Sequence, residues 1–147
     1  MTRVQLALNV RDLDQAVAFY STLFQTGPAK RRAGYANFAV AEPPLKLVLF
    51  ENSQEAGTLN HLGVEVDSTD EVADAARRLE AEGHPTEVQE SVTCCHALQD
   101  KVWVSGADTR WEVYTVLADS PSGAAAPADA ARCGEAAPGD ESVCCAI

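Results

Sequence analysis

Two cysteines stand side by side, Cys94 and Cys95, inside Ser91-Val92-Thr93-Cys94-Cys95-His96. Thiolates are soft donors, and two together can grip one thiophilic atom, such as trivalent arsenic, by replacing two of its hydroxyls. Neighbouring side chains of an extended strand point to opposite faces. A shared atom therefore requires a turn or an irregular loop. Thr86 to Asp100 lacks a strong apolar period and reads as such a loop. Chance adjacency and a strained vicinal disulfide are the ordinary readings of the same pair, and the rest of the chain has to supply context.

Three more residues form a second constellation. Gln5, His61 and Glu112 each sit on the less apolar face of a strand-like stretch. An amide oxygen, an imidazole and a carboxylate make a three-point, open metal site, akin to the facial triad of two histidines and one carboxylate. Gln5 replaces one histidine and is a weaker donor. Each residue also has an ordinary reading. His61 suits a half-buried strand histidine, Glu112 a surface carboxylate paired with Arg110 or Lys101, and Gln5 a polar strand position.

The elements that must position them follow from periodicity. Val4 to Val10 alternates as a strand, and Asp12 caps a helix with apolar residues from Leu13 to Phe24, ended by Gly27-Pro28. Tyr35 to Val40 and Leu45 to Glu51 are strands around the Pro43-Pro44 turn. The order then restarts. Leu59 to Val66 is a strand, Ser68 or Thr69 caps a helix through Leu79, and Gly83 closes it. Lys101 to Val104 and Arg110 to Val116 are strands. Aligning Gln5 with His61 places Leu6 on Leu62, Ala7 on Gly63, Leu8 on Val64 and Val10 on Val66, an internal repeat. Each half reads strand-helix-strand-strand, with room for one more short strand near the cysteines in the second. Closing the halves into one curved sheet would bring Gln5, His61 and Glu112 together on a concave face, where small Ala7 and Gly63 leave room.

The 147 residues suit one domain. A formal net charge of -11 argues against nucleic-acid or anionic-membrane partners. No apolar run approaches the roughly 20 residues of a membrane span, and the N-terminus does not look like a signal peptide. Five cysteines, an odd number, are unlike a secreted disulfide framework and point to the cytoplasm with thiols reduced. From Ala118 the chain turns rich in Ala, Pro and Gly and reads as a disordered tail, 118–147, carrying Cys133, Cys144 and Cys145. Its last four residues have the form of a prenylation signal, but nothing basic lies upstream.

These residues resemble the vicinal oxygen chelate superfamily, which includes glyoxalase I, extradiol dioxygenases, and fosfomycin and bleomycin resistance proteins. Val4 to Val10, Gly34 to Ala39, Pro43 to Leu49, Leu59 to Glu65, Thr93-Cys94-Cys95 with Gln99 to Val104, and Arg110 to Val116 are similar to its carbon–arsenic lyase branch, some members of which are named as cadmium-induced. The resemblance covers about residues 2 to 117. It implies an α+β fold, with two tandem βαβββ modules, about 1–55 and 56–117, forming a curved mixed sheet with a metal site in its concave face. It implies a non-haem Fe(II) dioxygenase that uses O2 to split the C–As bond of trivalent organoarsenicals and releases arsenite. By that analogy Gln5, His61 and Glu112 hold iron, and Cys94 and Cys95 hold arsenic. Ni, Co or Zn can replace iron in a purified sample. His96 and Lys101 lie near the thiols, and Tyr35, Trp103 and Tyr114 are candidate pocket aromatics. The expected partner is a small organoarsenical, with the chain a monomer or homodimer. Two alternatives stay open: a protein that sequesters arsenite or cadmium without turnover, and a thiol transferase of the resistance type.

Overall fold

The computed structural model describes residues 1–94 and 96–119. The chain divides into two compact units, Thr2–Gly63 and the chain from Val64 onward together with Met1.

In the first unit β1 (Arg3–Val10) leads into α1 (Leu13–Phe24), followed by β2 (Lys30–Arg32), β3 (Tyr35–Val40) and β4 (Leu45–Glu51). The strand β5 (Leu59–Glu65) begins here and crosses the boundary, and the strand order is β2-β3-β4-β1-β5. β1 runs parallel to β4, while β2, β3 and β4 pair antiparallel. The start of α1 is fixed by two carboxylates that satisfy orphan helix donors. Asp12 accepts from the Gln15 N–H at 2.9 Å, and Glu51, at the end of β4, accepts from the Leu13 N–H at 2.8 Å. The helix stops at Gln25, which takes φ 52°, before the Gly27-Pro28 signal is reached. Leu13 and Val17, flanked by Ala16, Tyr20 and Phe24, pack on Leu6, Leu8, Ala36, Phe38, Leu47 and Leu49. Burying each such large side chain is worth about 1.5–3 kcal/mol. Phe19 and Leu23 share the apolar pattern in sequence but face solvent.

The second unit contains α2 (Thr69–Ala81), β6 (Thr86–Cys94), β7 (Ala97–Gly106) and β8 (Thr109–Asp119), with strand order β8-β7-β6, antiparallel throughout. Ser68 and Glu71 form a variant of the capping box, the Glu71 carboxylate reaching one residue before the N-cap. The Ser68 Oγ accepts from the Glu71 N–H at 3.3 Å, and the Glu71 carboxylate accepts from the Asp67 N–H at 2.9 Å. Gly83, at φ 83°, closes the helix as its sequence position suggested. Val72, Ala75 and Ala76 pack on Val102 and Val113.

Two strands escape a reading by periodicity. The expected loop from Thr86 to Asp100 is a β-hairpin in which Cys94 pairs with Ala97 across a two-residue connection. Its first strand lies at the edge of its unit, mostly exposed, and a bulge between Gln89 and Val92 breaks the alternation. Asp100 holds that bulge. Its Oδ1 accepts from the Ser91 N–H at 2.7 Å and its Oδ2 from the Thr69 hydroxyl at 2.5 Å, tying the strand to the start of α2. The other strand, β2, is three basic residues with no apolar signal. β8 also continues to Asp119, past the expected start of the tail. Cys95 and residues 120–147, with Cys133, Cys144 and Cys145, lie outside the described residues.

Candidate active site

Each unit has one face of its sheet packed on its helix. The opposite face carries buried polar side chains, which is the informative departure from an ordinary core. In β1 the face opposite α1 bears Gln5, Ala7 and Asn9, all buried.

Gln5 and His61 meet on this side of the first unit, with Gln5 Nε2 3.1 Å from His61 Nε2. A chain of hydrogen bonds sets the imidazole. Asn9 Nδ2 donates to Thr58 Oγ1 at 3.0 Å, Asn60 Nδ2 donates to Asn9 Oδ1 at 3.1 Å, and His61 Nδ1 lies 2.8 Å from Asn60 Oδ1. An amide oxygen only accepts, so His61 carries its proton on Nδ1. Its Nε2 lone pair is thereby turned to Gln5. This is the arrangement in which a metal-binding histidine is oriented through its other nitrogen. Turning the Gln5 amide over would present an oxygen beside that lone pair, so the donor set suits a divalent cation. Phe50 lies against the imidazole, ring centroids 6.4 Å apart, and Tyr35 packs edge-on to Phe50 at 5.6 Å.

The second unit, taken by itself, carries charge and sulfur on one face. Register pairs Cys94 with Ala97, Lys101 with Tyr114 and Trp103 with Glu112. Residues 97, 99, 101 and 103 share a strand face, so Cys94, Gln99, Lys101, Trp103, Glu112 and Tyr114 line one side. Val102 and Val113 take the other side, against α2. Lys101 Nζ donates to Glu112 Oε2 at 2.7 Å, with side chains only 1% and 4% exposed. The ammonium also lies 5.2 Å from the Trp103 ring centroid and 5.8 Å from that of Tyr114. Glu112 is thus no surface carboxylate, and Lys101 is no surface lysine. Arg110 lies over the Trp103 ring instead, 4.3 Å from its centroid. Cys94 is buried and in no disulfide, at the last residue of its strand. His96 follows in the hairpin connection at φ 68°, the left-handed backbone such short connections use.

Among the described residues no three His, Cys, Asp or Glu side chains gather as a metal site; a Gln–His–Glu set holds only two of those types. Sequence reasoning missed Asn9, Asn60, Phe50 and Gln99. Asn60 carried a signal, as a polar neighbour of the candidate histidine. A groove of about 690 Å³ beside the start of α1 is lined by Arg11, Asp14, Arg31, Arg32 and Glu51 and includes none of these site residues.

Residues 2–124 match the Glyoxalase/Bleomycin resistance protein/Dioxygenase superfamily. The chain is 56% identical over 146 residues to the cadmium-induced protein CadI of Mycobacterium tuberculosis, covering 99% of this chain and 93% of that one. It is 52% identical over 147 residues to the trivalent organoarsenical cleaving enzyme of Thermomonospora curvata, covering 99% and 89%. Among solved structures, the Mn(II)-bound glyoxalase of Novosphingobium aromaticivorans superposes with a TM-score of 0.57 at 20% identity, over 82% of this chain and 42% of that one.

Proposed function

The chain belongs to the glyoxalase/bleomycin resistance protein/dioxygenase superfamily, and on that premise we propose that it is a cytoplasmic Fe(II)-dependent dioxygenase that cleaves the C–As bond of trivalent organoarsenicals. What supports the reading most is the placement of Cys94, a buried thiol, on the same strand face as the Glu112 carboxylate, in a chain with an organoarsenical-cleaving relative.

Gln5, His61 and Glu112 would hold the metal. Fe(II) there would supply an open coordination face for dioxygen and substrate. The chain's own residues do the rest. Cys94, with Cys95, captures R–As(OH)2: each thiol forms an As–S bond, an As–OH bond breaks, and the thiol proton leaves with the hydroxyl as water. The reacting thiol must be the thiolate. Asn60 keeps the His61 lone pair turned inward, and Lys101 holds one oxygen of Glu112. Burial of Cys94, His61, Lys101 and Glu112 would limit water around the bound arsenic and help to fix its orientation.

A second reading is favoured by the cadmium-induced relative: a protein that sequesters a soft metal(loid) on its thiols without turnover. One experiment separates them. Protein reconstituted with Fe(II) without oxygen is given methylarsenite and then air, and arsenic species are resolved by chromatography with elemental detection. Arsenite release that disappears in Cys94→Ser/Cys95→Ser is expected. Methylarsenite retained intact on iron-loaded protein supports sequestration and overturns the lyase.

A further inference from the structure

Gln99 is only 5% exposed and sits in β7 two residues beyond Ala97, the register partner of Cys94. Its Nε2 donates to the Cys94 carbonyl at 3.3 Å. That bond fixes the amide, because the flipped rotamer would set two acceptor oxygens against each other. The Gln99 Oε1 is then left, among the described residues, as a buried acceptor with no hydrogen-bond partner. Such an atom is destabilising where it stands and calls for an explanation. Strand alternation turns Gln99 to the face that carries Cys94. The Cys94 thiol and an unsatisfied acceptor therefore belong to one sheet face, and Gln99 is tied to the backbone of Cys94 through its carbonyl.

We propose that Gln99 is a substrate- and product-binding residue whose Oε1 accepts a hydrogen bond from a hydroxyl on arsenic held by Cys94. The inference rests on the reading of Cys94 as a thiol that captures trivalent arsenic. Each thiol that binds removes one hydroxyl as water, with no change in oxidation state. Methylarsenite, CH3As(OH)2, keeps one hydroxyl after the first exchange and none after the second. Arsenite, As(OH)3, keeps one even on two thiolates. Gln99 thus holds the half-exchanged substrate and the bound inorganic product, and makes no such bond to the fully exchanged substrate. It tunes the affinity of product against substrate.

The test uses the full chain with Cys133→Ser, Cys144→Ser and Cys145→Ser, kept free of oxygen so that no turnover consumes the ligand. Arsenite and methylarsenite are titrated separately by calorimetry, with Gln99→Met beside the parent and Gln99→Leu as a second apolar replacement should the first not fold. The expected result is a loss of arsenite affinity on the order of tenfold, the size of one hydrogen bond, with methylarsenite affinity changed less than about twofold. Equal loss for both ligands would mean that Gln99 only braces the hairpin, and no loss would mean that Oε1 meets no arsenic-bound hydroxyl; either overturns the proposal. A parent chain that binds neither arsenical overturns the thiol-capture reading itself, which keeps the two failures apart.

Discussion

In Thr2–Gly63 the buried polar groups on the face opposite the helix, Gln5, Asn9 and His61, are joined with Asn60 and Thr58 by amide, imidazole and hydroxyl hydrogen bonds, and the charged Lys46, register partner of Gln5, is only half-buried. From Val64 onward the corresponding face holds an ammonium–carboxylate pair, Lys101 and Glu112, beside the Cys94 thiol. The helices and their N-caps are alike in the two units; the polar faces are not. The repeat supplies a scaffold, and its two copies carry different polar side chains on it. A neutral network is satisfied at small desolvation cost, whereas a buried ion pair is strongly destabilising when one partner is removed.

The sharpest way to break that comparison is to remove one charge. Glu112→Ala should lose about 3–5 kcal/mol of stability by leaving Lys101 buried without its carboxylate. Gln5→Ala should lose only about 1 kcal/mol, the worth of a neutral hydrogen bond. Denaturant unfolding of both variants measures the difference, and similar losses would erase the contrast. The double variant Lys101→Met/Glu112→Leu should recover most of the stability while still releasing no arsenite, separating the structural weight of the pair from its place in the site.

Asp100→Ala comes next. It strips a carboxylate from the Ser91 N–H and the Thr69 hydroxyl, and about 1.5–3 kcal/mol should be lost. Hydrogen exchange should show the opening concentrated in β6 and the first turn of α2. Uniform loss of protection would mean that the bulge is not pinned locally.

Asn60→Ala sharpens the comparison from the first unit's side. It frees the His61 tautomer, so Fe(II) or Co(II) affinity measured by titration should fall about 10–100-fold, while the thermal midpoint moves little. A stability loss with unchanged metal affinity would make Asn60 an ordinary part of the core. The smallest effects are expected where the units agree: Asp12→Ala and Ser68→Ala should each cost about 1 kcal/mol, as matched N-caps do.

The sequence by itself determined the helices, the long strands and the repeat. Leu13, Val17, Val72 and Ala76 announce their faces through local periodicity, and Asp12, Ser68 and Gly83 announce helix ends through backbone chemistry that neighbouring residues decide. It also singled out Gln5 and His61, which the fold brings to 3.1 Å. The short strand β2 was not legible, and β6 only as room for one short strand near the cysteines, because an exposed edge strand obeys no apolar period and a bulge destroys what period there is. Nor could the sequence tell that Lys101 and Glu112 are buried together, that Asn60 sets the His61 tautomer through Asn9, or that Gln99 Oε1 is left without a donor. A polar side chain looks the same in sequence whether it meets water or the interior. Only the tertiary structure, by pairing strands distant along the chain, decides which polar groups lose their water and what they meet in its place.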